Sequence, residues 1–127
     1  MHRDNSISGA DAEKLALKYL QKQGLKLLAQ NFRTRRGEID LIMRDNAYLV
    51  FVEVRFRKSS AFGSAEESIT QQKCQRLTAA ALAYMQSQKL TNRLSARFDA
   101  VAICPDSPEP INSSAGYSIN WVKNILQ

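Results

Sequence analysis

The chain lacks most of the residues on which common catalytic sites depend. Its only histidine is His2, close to the amino terminus. A serine or cysteine nucleophile therefore has no histidine to activate it, and a zinc site with histidine ligands cannot be assembled. The five glycines are scattered singly, so no glycine-rich loop is present to cradle a phosphate. Any catalysis must therefore use carboxylates, Lys or Arg side chains, and a hard metal ion.

Cysteines and long hydrophobic runs are also scarce. Cys74 and Cys104 are the only two cysteines, and their spacing matches no metal-binding motif, which favours reduced structural thiols. No apolar run approaches the roughly 18 residues that a membrane-spanning helix needs, and the polar start is unlike a signal peptide. A cytoplasmic protein without a membrane partner is therefore expected.

Positive charge, in contrast, is in excess. Lys and Arg number 18 against 12 acidic residues, which gives a net charge of +6 and an isoelectric point near 9.6. A surface of this charge attracts polyanions and favours nucleic acid as a partner. The length of 127 residues and the 44% apolar composition fit one domain with its own core, over residues 1–127.

Hydrophobic periodicity predicts the element order α-β-β-β-α-β, followed by a carboxyl-terminal segment. Ser8 is the expected N-cap of the first helix and Gly24 its stop. The helices are predicted at about 9–23 and 68–88, and the strands at about 25–32, 38–44, 47–57 and 96–104. After this core of about 9–104 come a Pro-rich loop and a closing strand or short helix, within residues 105–127. The second helix is long enough for a parallel crossover, so an α/β fold is expected, with a small mixed sheet flanked by helices.

Two of these strands carry acids at positions that otherwise look buried. The run GEIDLIMRDNAYLVFVEVRFR contains Glu38, Asp40 and Glu53 among apolar residues. Carboxylates are depleted in strands, and a buried charge is costly unless it is paired or binds a metal. The Asp45-Asn46 pair predicts a hairpin turn that brings Asp40 and Glu53 close together across the two arms.

A hard divalent ion would compensate these charges. Mg²⁺ or Mn²⁺ takes oxygen ligands, typically one or two carboxylates plus substrate phosphate, and it activates its own water without histidine. Arg55, two positions after Glu53, shares its face of the strand and would stabilise charge that develops on a phosphate. The alternative is that Glu38, Asp40 and Glu53 form ordinary ion pairs with nearby arginines.

The same residues resemble a known nuclease signature. Asp40, followed after twelve residues by Glu53-Val54-Arg55, resembles the PD-(D/E)XK motif, and the element order is similar to the restriction-endonuclease-like core. More closely, the chain resembles the bacterial YraN-like family of predicted endonucleases, which are similar to archaeal Holliday junction resolvases. The matching stretches, within about residues 9–103, are GADAEKLA, NFRTRRGEIDLI, FVEVRFR, KCQRL and RFDAVAI.

The resemblance implies a metal-dependent endonuclease that hydrolyses phosphodiester bonds in DNA and selects branched or junction structures. It implies Asp40 and Glu53 as metal ligands, residue 55 as the catalytic cation, and Glu13 as a helix acid that faces the metal. A solvent-exposed Glu13 is the alternative. Glu38 is a weaker candidate ligand, which could instead be ion-paired.

One residue departs from the signature, which has Lys where this chain has Arg55. Arginine can stabilise a transition state but cannot carry a proton at usable pH. A binding module of the same fold that has lost hydrolysis is therefore an alternative, and a small interaction protein with ion-paired acids is another. Lys73 is a possible substitute cation, because it lies four residues before Leu77 on the sheet-facing stripe of its helix. A solvent-facing Lys73 remains the other reading.

Several further residues are predicted to contact nucleic acid. Gln72, Lys73 and Arg76, near the amino end of the second helix, would hold a phosphate. Basic residues flank the hairpin and suit contact with a DNA backbone, which positions the protein without reading sequence; they are Arg33, Arg35, Arg36, Arg57 and Lys58. A homodimer would be needed to cut two strands symmetrically, and the sequence leaves the oligomeric state open.

Overall fold

A computed structural model describes residues 9–56, 70–89, 95–105 and 117–126. Within these residues, five strands form one mixed sheet with a helix on each face. The elements are α1 (Gly9–Lys22), β1 (Lys26–Arg33), β2 (Glu38–Asp45), β3 (Tyr48–Phe56), α2 (Gln71–Ser87), β4 (Ser95–Pro105) and β5 (Tyr117–Val122).

The strands lie side by side in chain order. β1, β2 and β3 form an antiparallel meander, β3 and β4 are parallel, and β5 returns antiparallel to β4. A parallel pair needs a long crossover connection, and α2 lies in the one between β3 and β4. The α/β class and the αβββαβ restriction-endonuclease-like core are therefore confirmed. The closing segment is strand β5 rather than a helix.

The core consists of two apolar layers, one under each helix. Alternation along the strands sends neighbouring side chains to opposite faces. On one face Leu20 and Ala16 of α1 pack against Met43, Val50 and Val101. On the other face α2 packs against β2 and β3; this layer contains Leu77, Ala80, Ala81, Tyr84 and Met85 together with Ile39, Ile42, Leu49 and Phe51.

Both helix ends near the sheet follow from local sequence. α1 is followed by Gly24 at a φ of 99°, a left-handed conformation that glycine adopts without steric cost. α2 begins at Gln71, because Thr70 is extended and its Oγ1 accepts a hydrogen bond from the Lys73 N–H at 3.1 Å. An N-cap must be non-helical to make this bond, so the predicted start at residue 68 was wrong. Ser8, the predicted cap of α1, lies outside the described residues.

The hairpin between β2 and β3 sets the register of the candidate acids. Asp45 pairs with Tyr48, so the turn residues are Asn46 and Ala47, one place later than predicted, and Asn46 has a φ of 54°. The ladder continues to the pair Leu41 and Val52. Residues 40 and 53, the two predicted metal ligands, lie just beyond the end of this ladder.

Other expectations have mixed outcomes. Cys74 and Cys104 are free and half-buried, as predicted. In the part of the chain that the structure describes, neither helix is long and apolar enough to cross a membrane. Arg57 and Lys58 lie outside the described residues, as does the Pro-rich loop.

Candidate active site

An open groove of about 600 Å³ lies between the β1–β2 turn, the ends of the two acid-bearing strands and the first turns of α2. It gathers most of the predicted site residues into one place. It is lined by Arg33, Thr34, Arg35, Arg36, Gly37, Glu38, Asp40, Glu53, Thr70, Gln72, Lys73, Arg76 and Leu77. Arg55 and Glu13 are not among the lining residues.

The β1–β2 turn forms one wall of the groove and carries the predicted arginines. The Thr34 N–H donates to the Gly37 carbonyl at 2.8 Å, and Thr34 Oγ1 accepts from the N–H groups of Arg36 and Gly37 at 3.1 Å. Gly37 is required by packing, since a Cβ there would lie 2.9 Å from the carbonyl carbon of Arg76. The turn therefore sits directly against the backbone of α2, with Arg35 and Arg36 exposed to solvent.

Asp40 lies where β2 separates from β3. Its Oδ2 accepts a hydrogen bond from the backbone N–H of Val54 at 2.8 Å. Ile39 and Ile42 both pack in the α2-side layer, so the regular alternation of side chains is interrupted between them. This irregularity leaves the Asp40 carboxylate half-buried at the edge of the groove.

The electrostatics around Asp40 are unfavourable to its negative charge. The pKa of Asp40 is raised to about 6, because burial and the charges of Glu13, Glu53 and Glu38 together outweigh the lowering by the Val54 hydrogen bond. All four predicted metal ligands are thus electrostatically coupled. A cation at this position would relieve the repulsion.

Glu53 is the more deeply buried acid, with 10% of its side chain exposed. Its Oε1 lies 2.6 Å from Lys73 Nζ, a short ion pair. Its Oε2 lies 3.5 Å from Arg55 Nη2, which is too long for a good hydrogen bond. Among the described residues, Glu53 Oε2 and the Nε and Nη2 atoms of Arg55 have no hydrogen-bond partner. One carboxylate oxygen is therefore strongly paired and the other is not.

The two candidate cations differ in where they lie. The Arg55 side chain is 17% exposed and does not line the groove, whereas Lys73 is 40% exposed and lines it. Lys73 faces the sheet, as its spacing from Leu77 predicted. Of these two cations, Lys73 is accessible from the groove, whereas Arg55, which occupies the signature position, does not line it.

Glu13 and Glu38 are peripheral to the groove acids. Burial raises the pKa of Glu13, a hydrogen bond with the Asn31 side chain lowers it, and the Glu38 charge raises it. Glu38 is exposed and pairs with Arg33 at 3.2 Å, the ordinary ion pair that was the alternative for this residue. Within the described residues no group of three or more acids, histidines or cysteines is placed to hold a metal by itself.

The donor set nevertheless fits a hard divalent cation. The available atoms are carboxylate oxygens, one of which, Glu53 Oε2, is buried and lacks a hydrogen bond. Mg²⁺ is usually bound by one or two carboxylates, with waters and substrate phosphate completing its coordination. Asp40 and Glu53 could supply those two carboxylates.

A second buried acid, Asp99 on β4, was missed by the sequence analysis. Arg97 Nε donates to its two oxygens at 3.1 and 3.2 Å, and Trp121 Nε1 donates to Oδ2 at 2.9 Å. The backbone N–H of Asn124 donates to Oδ1 at 3.0 Å, and Arg97 also contacts Asp45 at 3.0 Å. The alternation in the letters RFD could have placed Arg97 and Asp99 on one face.

The residues that position Lys73 were missed as well. Thr70 precedes Lys73 by three residues, the spacing of an N-cap and the N–H it accepts from.

Two aromatic residues of β5 belong to the core rather than to the groove. Trp121 packs against the α1-side layer. Tyr117 packs there too, and its ring meets that of Phe56 edge to face at 6.1 Å.

A second groove of about 410 Å³ adjoins the first across the arginine turn. Arg35 and Arg36 line both grooves, so their side chains lie between the acids and this outer surface. The opposite side of the second groove is the uncharged flank of α2, formed by Ala79, Leu82, Ala83 and Gln86.

The sequence matches the model of a family described as "Uncharacterised protein family UPF0102" over residues 12–103. A UPF0102 protein of Coxiella burnetii is 44% identical over 119 residues, which cover 94% of this chain and 91% of the relative. One of Vibrio parahaemolyticus is 41% identical over 118 residues, covering 93% and 90%. One of Pseudomonas fluorescens is 44% identical over 124 residues, covering 98% and 96%.

Proposed function

This chain belongs to the UPF0102 family, as the YraN-like resemblance predicted, and on that premise we propose that it is a metal-dependent endonuclease. In this proposal it hydrolyses phosphodiester bonds in DNA and selects branched or junction structures. The observation that carries the proposal is the meeting of Asp40, Glu53 and Lys73 in one groove beside an arginine-rich turn. Two carboxylates can hold a hard metal ion and a nearby lysine can stabilise charge on a phosphate, which together support hydrolysis without histidine.

Asp40 and Glu53 would hold the Mg²⁺ or Mn²⁺ ion. When bound, such an ion polarises the scissile phosphate and activates a water molecule. The Val54 N–H engages one oxygen of Asp40 and so fixes the orientation of that carboxylate. Glu13 and Glu38 would act mainly through their charge, since both raise the pKa of Asp40.

Lys73 would take the role that the signature gives to residue 55. Its ammonium lies 2.6 Å from Glu53 and is accessible from the groove. From there it would stabilise negative charge on the phosphate oxygens in the transition state. A lysine can also lose its proton, which Arg55 cannot. Arg55 would remain beside Glu53 Oε2 as a fixed positive charge.

The nucleic-acid backbone would be held by the surroundings of this centre. The backbone N–H groups at the start of an α-helix carry a partial positive charge, which favours a phosphate near Gln72 and Arg76 at the start of α2. Arg33, Arg35 and Arg36 would contact flanking phosphates without reading sequence. A single cytoplasmic domain that acts on DNA as a monomer or homodimer completes the proposal.

The test is cleavage of branched, flapped, single-stranded and duplex DNA in Mg²⁺, Mn²⁺ or a chelator. We expect cleavage of branched DNA only with metal, and a loss of about 100-fold or more in Asp40→Asn and Glu53→Gln. Asp11→Asn, the same acid-to-amide change at an exposed position of α1, is the matched control for charge and handling. Undiminished cleavage in both acid variants would point to contamination or to another site.

A second candidate function is a nucleic-acid-binding module of the same fold without hydrolysis. Arg55 at the signature position and the neutralisation of Glu53 by Lys73 favour it. It predicts DNA binding without cleavage, and recovery of cleavage in Arg55→Lys. A small interaction protein would instead bind neither metal nor DNA.

A further inference from the structure

The pairing of Lys73 with Glu53 has a consequence for how a metal reaches this groove. Oε1 of Glu53 is already occupied by an ammonium group at 2.6 Å. A metal ion and the Lys73 ammonium are both positive, so they repel each other when they share one carboxylate. In the free protein, Lys73 therefore competes with the metal.

We propose that Lys73 exchanges partners, holding Glu53 in the free protein and moving to a phosphate when nucleic acid enters, so that metal and nucleic acid bind cooperatively. This inference rests on the proposed function and adds to it how the site is loaded. The carboxylate that Lys73 releases is then available to the metal, and the two ligands favour each other.

The geometry allows this exchange. The backbone of Lys73 is fixed in the first turn of α2 by the Thr70 hydrogen bond, while its side chain is 40% exposed and lines the groove. The ammonium sits at the end of a flexible four-carbon stem with rotatable donors, so its tip can move while the helix stays in place. Gln72 and Arg76 lie beside it and offer polar partners for the same phosphate.

Arg55 cannot replace Lys73 as the partner of Glu53 without rearranging. It lies 3.5 Å from the other carboxylate oxygen, and its Nε and Nη2 atoms make no hydrogen bond in the described structure. Removing the partner of a buried carboxylate is costly, and a metal ion can take that partner's place. Once Lys73 leaves, a metal ion is therefore strongly favoured at that carboxylate.

The number of ligands supports the same coupling. Among the described residues no three acidic, histidine or cysteine side chains are grouped to hold a metal alone. Asp40 and Glu53 provide two carboxylates, and a substrate phosphate is the usual additional ligand for Mg²⁺. By thermodynamic reciprocity, the factor by which DNA tightens metal binding equals the factor by which metal tightens DNA binding.

The experiment measures this factor in both directions. Calorimetry gives the Kd of Ca²⁺, a hard ion with the same oxygen preference that serves here as the probe, with and without a branched DNA. Fluorescence anisotropy gives the Kd of that labelled DNA with and without Ca²⁺. For the native protein we expect the same coupling factor from both, about tenfold or more.

Two variants separate the exchange from general electrostatics. Lys73→Met keeps the length of the side chain and removes its charge, so Ca²⁺ alone should bind more tightly than to the native protein. Most of the coupling should be lost, and what remains comes from direct contact between the metal and the phosphate. Arg76→Met removes a charge from the same groove, so DNA should bind more weakly while the coupling factor is retained. Circular dichroism and thermal melting verify that each variant is folded.

The outcomes distinguish this inference from the function on which it rests. If Lys73→Met binds Ca²⁺ no more tightly, or keeps the native coupling factor, partner exchange is wrong while metal-dependent cleavage stands. If the native protein binds Ca²⁺, Mg²⁺ and Mn²⁺ neither alone nor with DNA, both are wrong. Tighter metal binding together with loss of coupling in Lys73→Met supports the exchange.

Discussion

Among the described residues, acidic side chains are buried in two places, which are built in opposite ways. Asp99 is fully buried, and its two oxygens receive hydrogen bonds from Arg97, the Trp121 ring and the Asn124 backbone. Glu53 is almost as buried, yet one of its oxygens has no hydrogen bond from any described residue. Asp40, next to it, receives one backbone hydrogen bond and the repulsion of three other acids.

The difference separates a structural acid from two acids that are less completely paired. Asp99 joins β4 to the chain after β5, and through Arg97 it reaches Asp45 at the β2–β3 turn. Both Asp99 oxygens are hydrogen-bonded, so no further partner is needed. At the other place, burial and three neighbouring acids raise the pKa of Asp40, and Glu53 has one oxygen without a hydrogen bond among the described residues. Perturbed acids of this kind are enriched at functional sites.

The largest expected effect on stability comes from removing Asp99, both of whose carboxylate oxygens are hydrogen-bonded. Asp99→Ala leaves the Arg97 guanidinium, 12% exposed, without its main partner, and leaves the Trp121 and Asn124 donors unpaired. We expect a loss of about 3–5 kcal/mol in the free energy of unfolding, measured by urea denaturation. The double variant Arg97→Met with Asp99→Leu should recover part of this loss. A cost below about 1 kcal/mol would contradict a structural role for Asp99.

The next largest expected effect is a gain in the free energy of unfolding when the charge of Asp40 is removed. The folded-state pKa of Asp40, about 6, is above its ordinary value of 3.8, so the folded protein binds this proton more tightly than the unfolded chain does. The contribution of Asp40 to stability is therefore fully present below about pH 4 and is lost as pH rises through 6. Asp40→Asn should remove this loss and keep the Val54 hydrogen bond.

At pH 8 we expect Asp40→Asn to be more stable than the native protein by up to about 3 kcal/mol, from a shift of about two pKa units. At pH 4 the two proteins should be nearly equal. Urea denaturation across this range measures the difference. A destabilised Asp40→Asn at pH 8 would show that Asp40 is as satisfied as Asp99.

Bound Mg²⁺ should stabilise the folded protein only through the site formed by Asp40 and Glu53. At about ten times its Kd, Mg²⁺ should raise the free energy of unfolding by about 1.4 kcal/mol. The rise should be smaller at pH 5, where Asp40 is largely protonated, and absent in Asp40→Asn. Thermal melting with and without Mg²⁺ measures it. An equal rise in Asp40→Asn would place the metal elsewhere.

The smallest effect concerns the residue that fixes Lys73. Thr70→Ala removes the N-cap of α2 and should cost about 1 kcal/mol, whereas Thr70→Ser should keep most of it. If the cap also positions Lys73, DNA cleavage should fall further in Thr70→Ala than in a variant of equal stability loss elsewhere. Ile103→Val, at a fully buried position in the α1-side layer, should cost about 0.5–1.5 kcal/mol and is a suitable comparison.

The sequence was sufficient for the parts that depend on local pattern. The element order follows from alternation, and so does the location of Asp40 and Glu53 on the two arms of one hairpin. The register does not, because the turn lies one residue later than predicted. The features that could not be predicted from the sequence depend on packing between distant segments. Lys73 rather than Arg55 is accessible from the groove because of how α2 packs against β3. Two of the partners of Asp99 lie 22 and 25 positions later in the chain.

The hydrogen bond from Val54 to Asp40 also gives the protein an internal reporter. A main-chain amide proton bound to a carboxylate changes its magnetic environment whenever that carboxylate gains a proton or a cation. The ¹H–¹⁵N resonance of Val54 should therefore shift with pH around 6 and with added Mg²⁺. A single backbone signal would then follow the occupancy of the groove without any label placed inside it.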